Sequence, residues 1–274
     1  MTGVPRGNGP QVSVFASGKG GVGKTAVVTN LAVALALRQR QVMVLDADFG
    51  LANLDLALGL NPEQTLEQVL AGTCDLAGVA LKGPRGITVL PAGSGVTEMA
   101  ALPRTVLSSL LASVVAFASG QDHLLIDAAA GVSTNVVGLF GIAHRLNVVL
   151  SSDPTSLVDA YATIKLASRR GFSGTVGVVV NGASDTGDRD RVFTRLVRAT
   201  SRFLDARPEL LGTVPRDIHV EWAGRSQRAV VEAYPDCGAS VAFRRLAARL
   251  DDATASVPGV ARAWHATRMP GSVQ

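Results

Sequence analysis

The residues with the clearest chemical capacity lie near the start of the chain, in a glycine-rich segment that ends in lysine and threonine. Residues 18–25 fit the pattern G-x-x-x-x-G-K-[ST], a loop whose successive backbone N–H groups converge on phosphate oxygens. In such a loop Lys24 reaches the outer phosphates of a nucleotide, and the Thr25 hydroxyl faces Mg²⁺. The predicted nucleotide-binding residues are Gly18, Lys19, Gly20, Gly21, Val22, Gly23, Lys24 and Thr25. A chance match in a solvated glycine turn is the alternative.

The loop holds a second lysine, Lys19, which phosphate binding by this pattern does not require. Only four of the 26 basic residues are lysine, and two of those four lie in the loop. Since the chain otherwise uses arginine, we infer that position 19 needs a compact, mobile point charge rather than a planar guanidinium. Lys19 is therefore predicted to take part in the chemistry of the site.

Acidic residues follow two apolar segments that are typical of strands. Asp46 and Asp48 end one of these segments, and Asp127 ends another. A carboxylate at the end of a buried strand needs a cation or hydrogen-bond donors to offset its desolvation, so we expect Mg²⁺ bound by Thr25, Asp46 and Asp127. If the extended geometry continues, the period-two spacing places Asp48 on the same side as Asp46, where it orients an attacking water. Helix N-capping by these aspartates is the alternative.

Three further residues at predicted strand ends are candidates for contact with a nucleotide. Gly131 lies shortly after Asp127 in an alanine-rich loop, where its N–H can face a γ-phosphate and sense hydrolysis. Asn181 follows a valine-rich run, and an Asn amide can both donate to and accept from the edge of adenine. Pro215 begins the loop after the next run. A structural turn at Gly131 or at Asn181 is the alternative.

Apolar runs that predict strands alternate with helical segments throughout the chain. The runs are nearly continuous in Val, Leu and Ile, as in a parallel sheet covered on both faces. Repeated β-α units of this length predict a doubly wound α/β fold with a mostly parallel sheet and helices on both faces. The predicted strands are 12–16, 41–46, 87–91, 122–127, 146–151, 175–181 and 210–214, and the predicted helices are 26–37, 65–70, 103–118, 133–143, 156–168, 189–203 and about 240–250.

The composition excludes several classes of protein. With 47% hydrophobic and 18% charged residues in 274 positions, the chain can bury a sizeable core, built from Ala, Val and Leu because aromatics are 4%. No apolar run is long enough to span a bilayer, and the N-terminus does not resemble a signal peptide. Cys74 and Cys237 lie far apart without CxxC spacing, so we expect a cytoplasmic protein with no disulfide or metal role for them.

The net charge of +4 is unevenly distributed. Residues 188–274 hold 14 basic and 10 acidic side chains, whereas residues 1–187 hold 12 of each. A basic C-terminal third can meet phospholipid, nucleic acid or an acidic partner, and an ordinary solvated surface is the alternative.

Several segments together resemble a known family. The loop that begins Lys19-Gly20-Gly21 and the segment 46–55, DADFGLANLD, are similar to the MinD/ParA ATPases, which carry a deviant Walker A motif. Segments 65–72, 91–96, 153–161 and 230–235 resemble the branch of flagellar-number regulators called FlhG, FleN or YlxH. The resemblance covers about residues 12–250.

The resemblance implies a homodimer that forms in ATP, encloses nucleotide between its subunits and hydrolyses it slowly with Mg²⁺. A charge supplied across the interface stabilises such a dimer only when triphosphate is present. The implied roles are Lys19 at the phosphates of the other subunit, Lys24 at those of its own, Thr25, Asp46 and Asp127 near Mg²⁺, Asp48 orienting the hydrolytic water, and Asn181 and Pro215 at adenine.

The resemblance also implies partners and a location. The family acts on the flagellar GTPase FlhF, on flagellar switch-complex components or on a transcriptional activator, and it reaches the inner face of the membrane through a C-terminal amphipathic helix. Contact with DNA is not expected. In this chain Val257, Val260, Ala261 and Trp264 fall on one helical face, so the tail either lies in a bilayer interface or is disordered.

Two departures from the family pattern bear on function. Ala128 stands where many relatives have Thr or Ser, which removes one hydroxyl from the loop that ends at Gly131. Residues 1–11 lack the short Asp-Gln-containing motif by which FlhG proteins stimulate FlhF. We expect a flexible N-terminus over residues 1–10, one ATPase domain over 11–253 and a tail over 254–274.

Two other functions stay open. A ParA- or MinD-like ATPase for DNA segregation or division-site placement would use the basic C-terminal third on phosphate backbones. A non-hydrolysing regulatory module would bind ATP and sequester a transcription factor. An iron–sulfur ATPase is set aside, because neither cysteine lies near Gly131 in the sequence.

Overall fold

The strands are rich in valine, leucine and alanine because helices cover both faces of the sheet that they form. A computed structural model describes residues 9–93, 102–204 and 206–255. The strands are β1 Gln11–Ser17, β2 Val42–Ala47, β3 Leu81–Lys82, β4 Thr88–Leu90, β5 His123–Ala130, β6 Arg145–Leu150, β7 Thr175–Ala183 and β8 Glu209–Pro215. They form an eight-stranded sheet in the order β3-β4-β2-β5-β1-β6-β7-β8, with each neighbouring pair parallel except β3 and β4. The predicted doubly wound α/β fold is confirmed.

The helices form two layers, one on each face of the sheet. The helices are α1 Lys24–Leu37, α2 Leu54–Ala57, α3 Leu66–Leu70, α4 Leu76–Val79, α5 Arg104–Phe117, α6 Thr134–Leu139, α7 Pro154–Arg169, α8 Thr186–Phe203, α9 Ile218–Arg225, α10 Val230–Ala233 and α11 Gly238–Ala255. Helices α3 to α8 cover one face, and α1, α2, α9, α10 and α11 cover the other. Successive side chains of β1 alternate between the two faces. Val12 and Val14 pack in the core beneath α3 to α8, and Phe15 packs in the core beneath α1 and α11.

Helix α1 is buried almost all around, and this explains its alanine-rich composition. Residues 27–36 are all buried. The helix packs on the sheet and also contacts α2, α10 and α11, so small side chains are needed on several of its sides. Because Lys24 begins this helix, the packing of α1 fixes the end of the loop at 18–25.

Several element boundaries differ from those predicted. Helix α6 ends at Leu139 instead of residue 143, since Gly138 and Gly141 weaken the helix and the chain continues in tighter turns. Helix α8 begins at Thr186, three residues earlier than predicted, because the Asp185 side chain accepts the N–H of Asp188 at 2.7 Å and caps it. The short elements β3, α2, α4, α9 and α10 are missing from the sequence prediction, since a few residues carry no measurable periodicity.

The last helix is held to the first by one buried carboxylate. Asp251 of α11 accepts hydrogen bonds from Arg40 Nε at 2.8 Å and from Arg38 Nη2 at 3.2 Å, and its Oδ1 lies 3.4 Å from His123 Nε2. Burial raises the pKa of Asp251, but the hydrogen bonds from Arg40 and Arg38 outweigh it and lower the pKa below its ordinary value. The ionised carboxylate therefore stabilises the fold.

We predict that Asp251→Asn lowers the free energy of unfolding by about 1.5–3 kcal/mol at neutral pH, because hydrogen bonds to a charged group are lost. Since the folded pKa lies below the unfolded value of about 3.9, this stabilisation is complete above about pH 5 and is lost as the pH falls through the folded pKa. Urea unfolding of both proteins at several pH values measures the difference, which should narrow below about pH 4. Asp190→Asn, at a carboxylate that is 62% exposed, is the control. A difference that stays constant or widens in acid contradicts the assignment.

Both predicted termini fall largely outside the described residues. Residues 1–8 and 256–274 are not described, so the predicted flexible N-terminus and the apolar stripe of Val257, Val260, Ala261 and Trp264 remain predictions. Within the described ranges, the structure contains no helix that combines the length and the apolar character needed to cross a membrane.

Candidate nucleotide-binding site

The predicted site residues converge at one edge of the sheet. Loop 18–25 follows β1, Asp46 lies near the end of β2 and Asp127 lies in the C-terminal half of β5. Asn181 and Pro215 come from the ends of β7 and β8. Because these strands are parallel, their carboxyl ends share the edge at which doubly wound folds bind ligands.

The glycines of loop 18–25 shape a cradle of backbone N–H groups. Gly21 and Gly23 have φ values of 79° and 82°, a region that favours glycine. A Cβ at Gly18 would collide with the backbone carbonyl of Asp159 in α7. Among the described residues, no backbone carbonyl accepts a well-formed hydrogen bond from the N–H groups of Gly20, Gly21 and Gly23. These donors are therefore available to an anion at the N-terminus of α1.

Lys24 forms a buried ion pair with Asp127. Lys24 Nζ lies 2.5 Å from Asp127 Oδ1, and the two side chains are only 8% and 1% exposed. Removing either partner would leave an uncompensated charge in the interior, which is strongly unfavourable. The pair thus fixes the loop against the centre of the sheet.

Asp46 is the second buried carboxylate at this edge. Its Oδ1 accepts the N–H of Asp48 at 2.9 Å, and its Oδ2 accepts those of Asn53 and Leu54, both at 3.2 Å. Burial and, to a lesser extent, the neighbouring negative charge of Asp127 raise the pKa of Asp46 to about 7. Helix N-capping is the alternative role for these aspartates. Asp46 fills part of that role, because it accepts N–H groups at the start of α2.

Asp48 directly follows β2 at the same edge of the sheet. β2 ends at Ala47, and the N–H of Asp48 donates to Asp46 Oδ1 at 2.9 Å. Asp48 is half-buried, and its Oδ1 accepts the N–H of Leu51 at 3.2 Å. The alignment of Asp48 with Asp46 and its role in orienting a water remain predictions.

The oxygen atoms of Thr25, Asp46 and Asp127 fit a Mg²⁺ ion. Asp127 Oδ2 is buried and has no hydrogen-bond partner among the described residues, and the Thr25 hydroxyl lies beside this carboxylate. Burial raises the pKa of Asp127 as well, against the opposing effect of Lys24. A divalent cation would offset the cost of burying both carboxylates, and oxygen is the ligand atom that Mg²⁺ prefers.

Lys19 reaches the start of α7. Its Nζ donates to Asp153 Oδ2 at 2.6 Å and to Thr155 Oγ1 at 2.7 Å. The hydrogen bond from Lys19 lowers the pKa of Asp153 to about 2, with help from the N–H of Thr155. The two lysines therefore occupy different environments, since Lys19 is 34% exposed and Lys24 is buried.

Sequence reasoning named segment 153–161 without giving Asp153 and Thr155 a role at the site. An available signal was the order Asp153-Pro154-Thr155, which is typical of a helix start. Asp153 does cap α7, where its Oδ1 accepts the N–H of Thr155 at 2.8 Å. Nothing in the sequence shows that the same carboxylate also meets Lys19, because that contact joins distant parts of the chain.

The other predicted contact residues lie around the cradle. The N–H of Gly131 donates to Ser17 O at 2.8 Å, so it contacts β1 in this structure and is not directed at a ligand. Asn181 Nδ2 donates to Val22 O at 2.8 Å and packs closely against Gly23. One donor of the Asn181 amide is therefore used to hold the loop.

We predict that Lys19→Ala raises the pKa of Asp153 by about one unit, because a cation in contact lowers the pKa of a carboxyl by about 1–3 units. Carboxyl NMR resonances followed over the acid range in which the protein stays folded measure this pKa. Lys82→Ala, at an exposed lysine of β3, is the control and should leave Asp153 unchanged. An unaltered Asp153 pKa in Lys19→Ala means that the two side chains do not pair in solution.

Fold and site together define a P-loop protein of the doubly wound α/β class, built to bind a phosphorylated ligand. The chain matches the family model of the CobQ/CobB/MinD/ParA nucleotide binding domain over residues 13–230. Since this match spans most of the chain, the protein belongs to that family, and the resemblance found in the sequence is confirmed.

Known relatives agree with this assignment. The chain is 42% identical over 241 residues to the protein named antiactivator FleN of Pseudomonas aeruginosa, and the alignment covers 88% of this chain and 86% of that protein. The cell division ATPase MinD of Pyrococcus furiosus superimposes with a TM-score of 0.76 at 23% identity, covering 89% of this chain and 99% of that one. MinD of Pyrococcus horikoshii, solved with Mg-ADP, gives 0.74 at 23% identity, covering 90% and 100%. At these identities the two structures support the fold alone.

Proposed function

We propose that this protein is a switch that dimerises in ATP, hydrolyses ATP slowly with Mg²⁺ and regulates the number or placement of flagella. The observation that carries the proposal is the position of Lys19. A lysine in a phosphate loop that pairs with exposed side chains at the start of α7, while Lys24 alone forms the buried ion pair, is suited to serve a second molecule. Its partial exposure leaves it free to exchange partners when a triphosphate arrives.

Each residue of the site has a physical role in this proposal. Backbone N–H groups of residues 18–25 and the ammonium of Lys24 bind the phosphates. Mg²⁺, held by Thr25, Asp46 and Asp127, would supply positive charge against the phosphate oxygens. Asp48 orients the attacking water, and Lys19 contributes charge to the cradle of the opposing subunit as the triphosphate reacts.

Three outer residues complete the proposed site. The N–H of Gly131 would leave Ser17 O to meet the γ-phosphate, which couples the loop after β5 to hydrolysis. Asn181 and Pro215, at the ends of neighbouring strands, would contact adenine.

Apolar exposure around the same edge supports a dimer. The side chains of Leu51, Val132 and Val158 are 78%, 48% and 66% exposed. Leu51 follows β2, Val132 follows β5, and Val158 lies in the first turns of α7. Isolated exposed apolar residues are ordinary, but a second subunit facing the cradle would cover all three. Burial of these side chains would add apolar contact to the charge of Lys19.

The relationship to FleN supports a flagellar partner. The proposed partner is a flagellar assembly or regulatory protein, of the kind represented by an FlhF-like GTPase, a switch-complex component or a transcription activator. We place the protein in the cytoplasm, with peripheral contact to the inner face of the membrane through the tail beyond Ala255.

We predict that the protein is a monomer without nucleotide and a dimer with ATP and Mg²⁺, by size-exclusion chromatography with light scattering. Lys19→Ala and Lys24→Ala should each abolish the dimer, because one loses the charge across the interface and the other loses the phosphate contact. Lys82→Ala is the matched control. A monomer under both conditions for the unaltered protein contradicts the proposal.

The same experiment separates the switch from a non-hydrolysing module. Asp48→Ala should retain the dimer in ATP and release phosphate at least about 100-fold more slowly. This factor is the lower end of the rate enhancement that general acid–base catalysis contributes. Asp55→Ala, in the first turn of α2, is the control. If the unaltered protein binds ATP without releasing phosphate, the sequestering module is the better description.

One observation favours a second candidate, a ParA-like ATPase that acts on DNA. Arg191, Arg195, Arg198 and Arg202 are exposed on α8 and share one helical face. Arg191 pairs with Asp188 at 2.8 Å, which leaves the other three as the more available charges.

This candidate predicts binding to random-sequence duplex DNA in ATP that falls steeply with salt. Three or four neutralised phosphates correspond to a loss of roughly 40- to 150-fold between 50 and 200 mM salt. Arg195→Ala with Arg198→Ala should weaken binding, whereas Arg225→Ala, at an arginine that is 73% exposed on α9, should not. Absence of DNA binding in ATP removes the candidate.

A further inference from the structure

A second group of metal-binding side chains lies beyond β8 and does not belong to the phosphate cradle. Asp217 is the N-cap of α9, His219 lies in the first turn of α9, and Cys237 directly precedes α11. One potential ligand atom from each residue lies within 4.8 Å of the other two, and all three residues are half-buried. Sequence spacing predicts no metal role for Cys237, because it matches no metal motif.

Asp217 is the centre of this cluster. Its Oδ1 lies 2.7 Å from His219 Nδ1 and accepts the N–H of His219 at 3.0 Å, and its Oδ2 accepts the N–H of Ala239 at 2.9 Å. Burial raises the pKa of Asp217, but hydrogen bonds led by those from Ala239 and His219 outweigh it and lower the pKa to about 2. The carboxylate is therefore ionised at neutral pH and held in a fixed orientation.

Cys237 and His219 are also oriented by their surroundings. The Cys237 thiol donates to Ser240 Oγ at 3.3 Å, and its sulfur accepts the N–H of Ser240 at 3.4 Å, at the N-terminal end of α11. The His219 ring packs against Trp222 and Tyr234, with ring centroids 5.1 and 4.9 Å away. An aromatic wall limits rotation of the imidazole, and a backbone N–H on sulfur is a contact that persists when the sulfur binds a metal.

Capping of the two helices does not explain the whole cluster. Asp217 can accept the N–H groups of His219 and Ala239 whatever side chains occupy positions 219 and 237. The imidazole and the thiol nevertheless converge on the same carboxylate, which brings one nitrogen, one sulfur and one oxygen ligand together.

We propose that Asp217, His219 and Cys237 form a Zn²⁺ site with three protein ligands and one position open to water. A mixed set of sulfur, nitrogen and oxygen ligands suits Zn²⁺ and suits Mg²⁺ poorly. On binding, the metal takes the thiolate of Cys237 with release of the thiol proton, and it takes neutral His219 through Nδ1 with the ring proton on Nε2. The backbone N–H groups of His219, Ala239 and Ser240 remain as the outer shell.

The site would link the start of α9 to the start of α11, next to Pro215. A Cβ placed on Gly238 would lie 3.5 Å from Asp217 Oδ2 and 3.6 Å from Pro215 Cγ, so the cluster directly adjoins the end of β8. Bound Zn²⁺ would join the loop after β8 to the start of α11. The site itself does not depend on the proposed role of Pro215 at adenine.

The test is a Zn²⁺ titration of the full chain in competition with a chromophoric chelator, with Mg²⁺ in large excess to occupy oxygen-rich sites. We expect one tightly bound Zn²⁺ per chain. Cys237→Ser and His219→Gln should each lower the Zn²⁺ affinity at least about 100-fold. Loss of a residue that only supports a metal ligand lowers the affinity by at most about that factor. Cys74→Ser, at the other half-buried cysteine, is the matched control and should bind as the unaltered protein does.

Two further measurements keep the result interpretable. Co²⁺ in place of Zn²⁺ should give a near-ultraviolet thiolate-to-metal charge-transfer band in the unaltered protein and in Cys74→Ser, and no such band in Cys237→Ser. Zn²⁺ should raise the Tm of the first two proteins only. Serine is itself a good N-cap, so Cys237→Ser is expected to fold, and His219→Gln provides an independent variant.

Equal Zn²⁺ affinity in Cys237→Ser and the unaltered protein, or a Co²⁺ complex without the thiolate band, overturns the proposal. Dimerisation in ATP is measured separately with Lys19→Ala. Failure of the zinc site therefore leaves the proposed switch untouched, and failure of the switch leaves the zinc site untouched.

Discussion

The buried ion pair between Lys24 and Asp127 is the interaction on which the rest of the site depends. Both side chains are nearly inaccessible to water, so neither charge can persist there without the other. The pair joins the first residue of α1 to the central strand β5. Helices α10 and α11 return to the same face of the sheet after β8 and pack against α1. A second carboxylate, Asp46, lies in the same buried region, and burial together with the negative charge of Asp127 raises its pKa to about 7.

The two lysines of the phosphate loop differ in burial and in how firmly they are held. Lys24 is fixed by the start of α1 and by Asp127, so its position follows from the fold. Lys19 lies on the exposed side of the loop, where Asp153 and Thr155 hold it by contacts that water and another charge can replace. An exposed ion pair contributes little to stability, so exchanging Asp153 for a phosphate costs little. This contrast leaves one buried and one exchangeable charge in the loop, as the proposed nucleotide-gated dimer requires.

The last helix, α11, is anchored near both of its ends by an aspartate. Asp251 ties α11 to the end of α1 through Arg38 and Arg40, whereas Asp217 ties the start of α11 to the loop after β8. Both carboxylates have lowered pKa values because the hydrogen bonds they accept outweigh burial. The helix is thus anchored at both ends by ionised aspartates. The proposed Zn²⁺ site lies at the second anchor, so metal occupancy would bear on the same edge of the sheet as the nucleotide.

The class of fold and the residues of the phosphate loop could be predicted from residue order, because periodicity and a contiguous motif are local properties. Residue order also placed Asp46 and Asp127 at strand ends, where parallel pairing had to bring them together. It did not reveal that Asp48, just past the end of β2, donates its N–H to the Asp46 carboxylate. The early start of α8 depended on a cap at Asp185, and the end of α6 on two glycines whose effect periodicity does not register. The contacts of Lys19 with Asp153 and Thr155, and of Cys237 with Asp217 and His219, become visible in the folded structure. Those contacts join side chains that are distant in the sequence, and the packing of whole helices on the sheet, which no local pattern encodes, sets their distances.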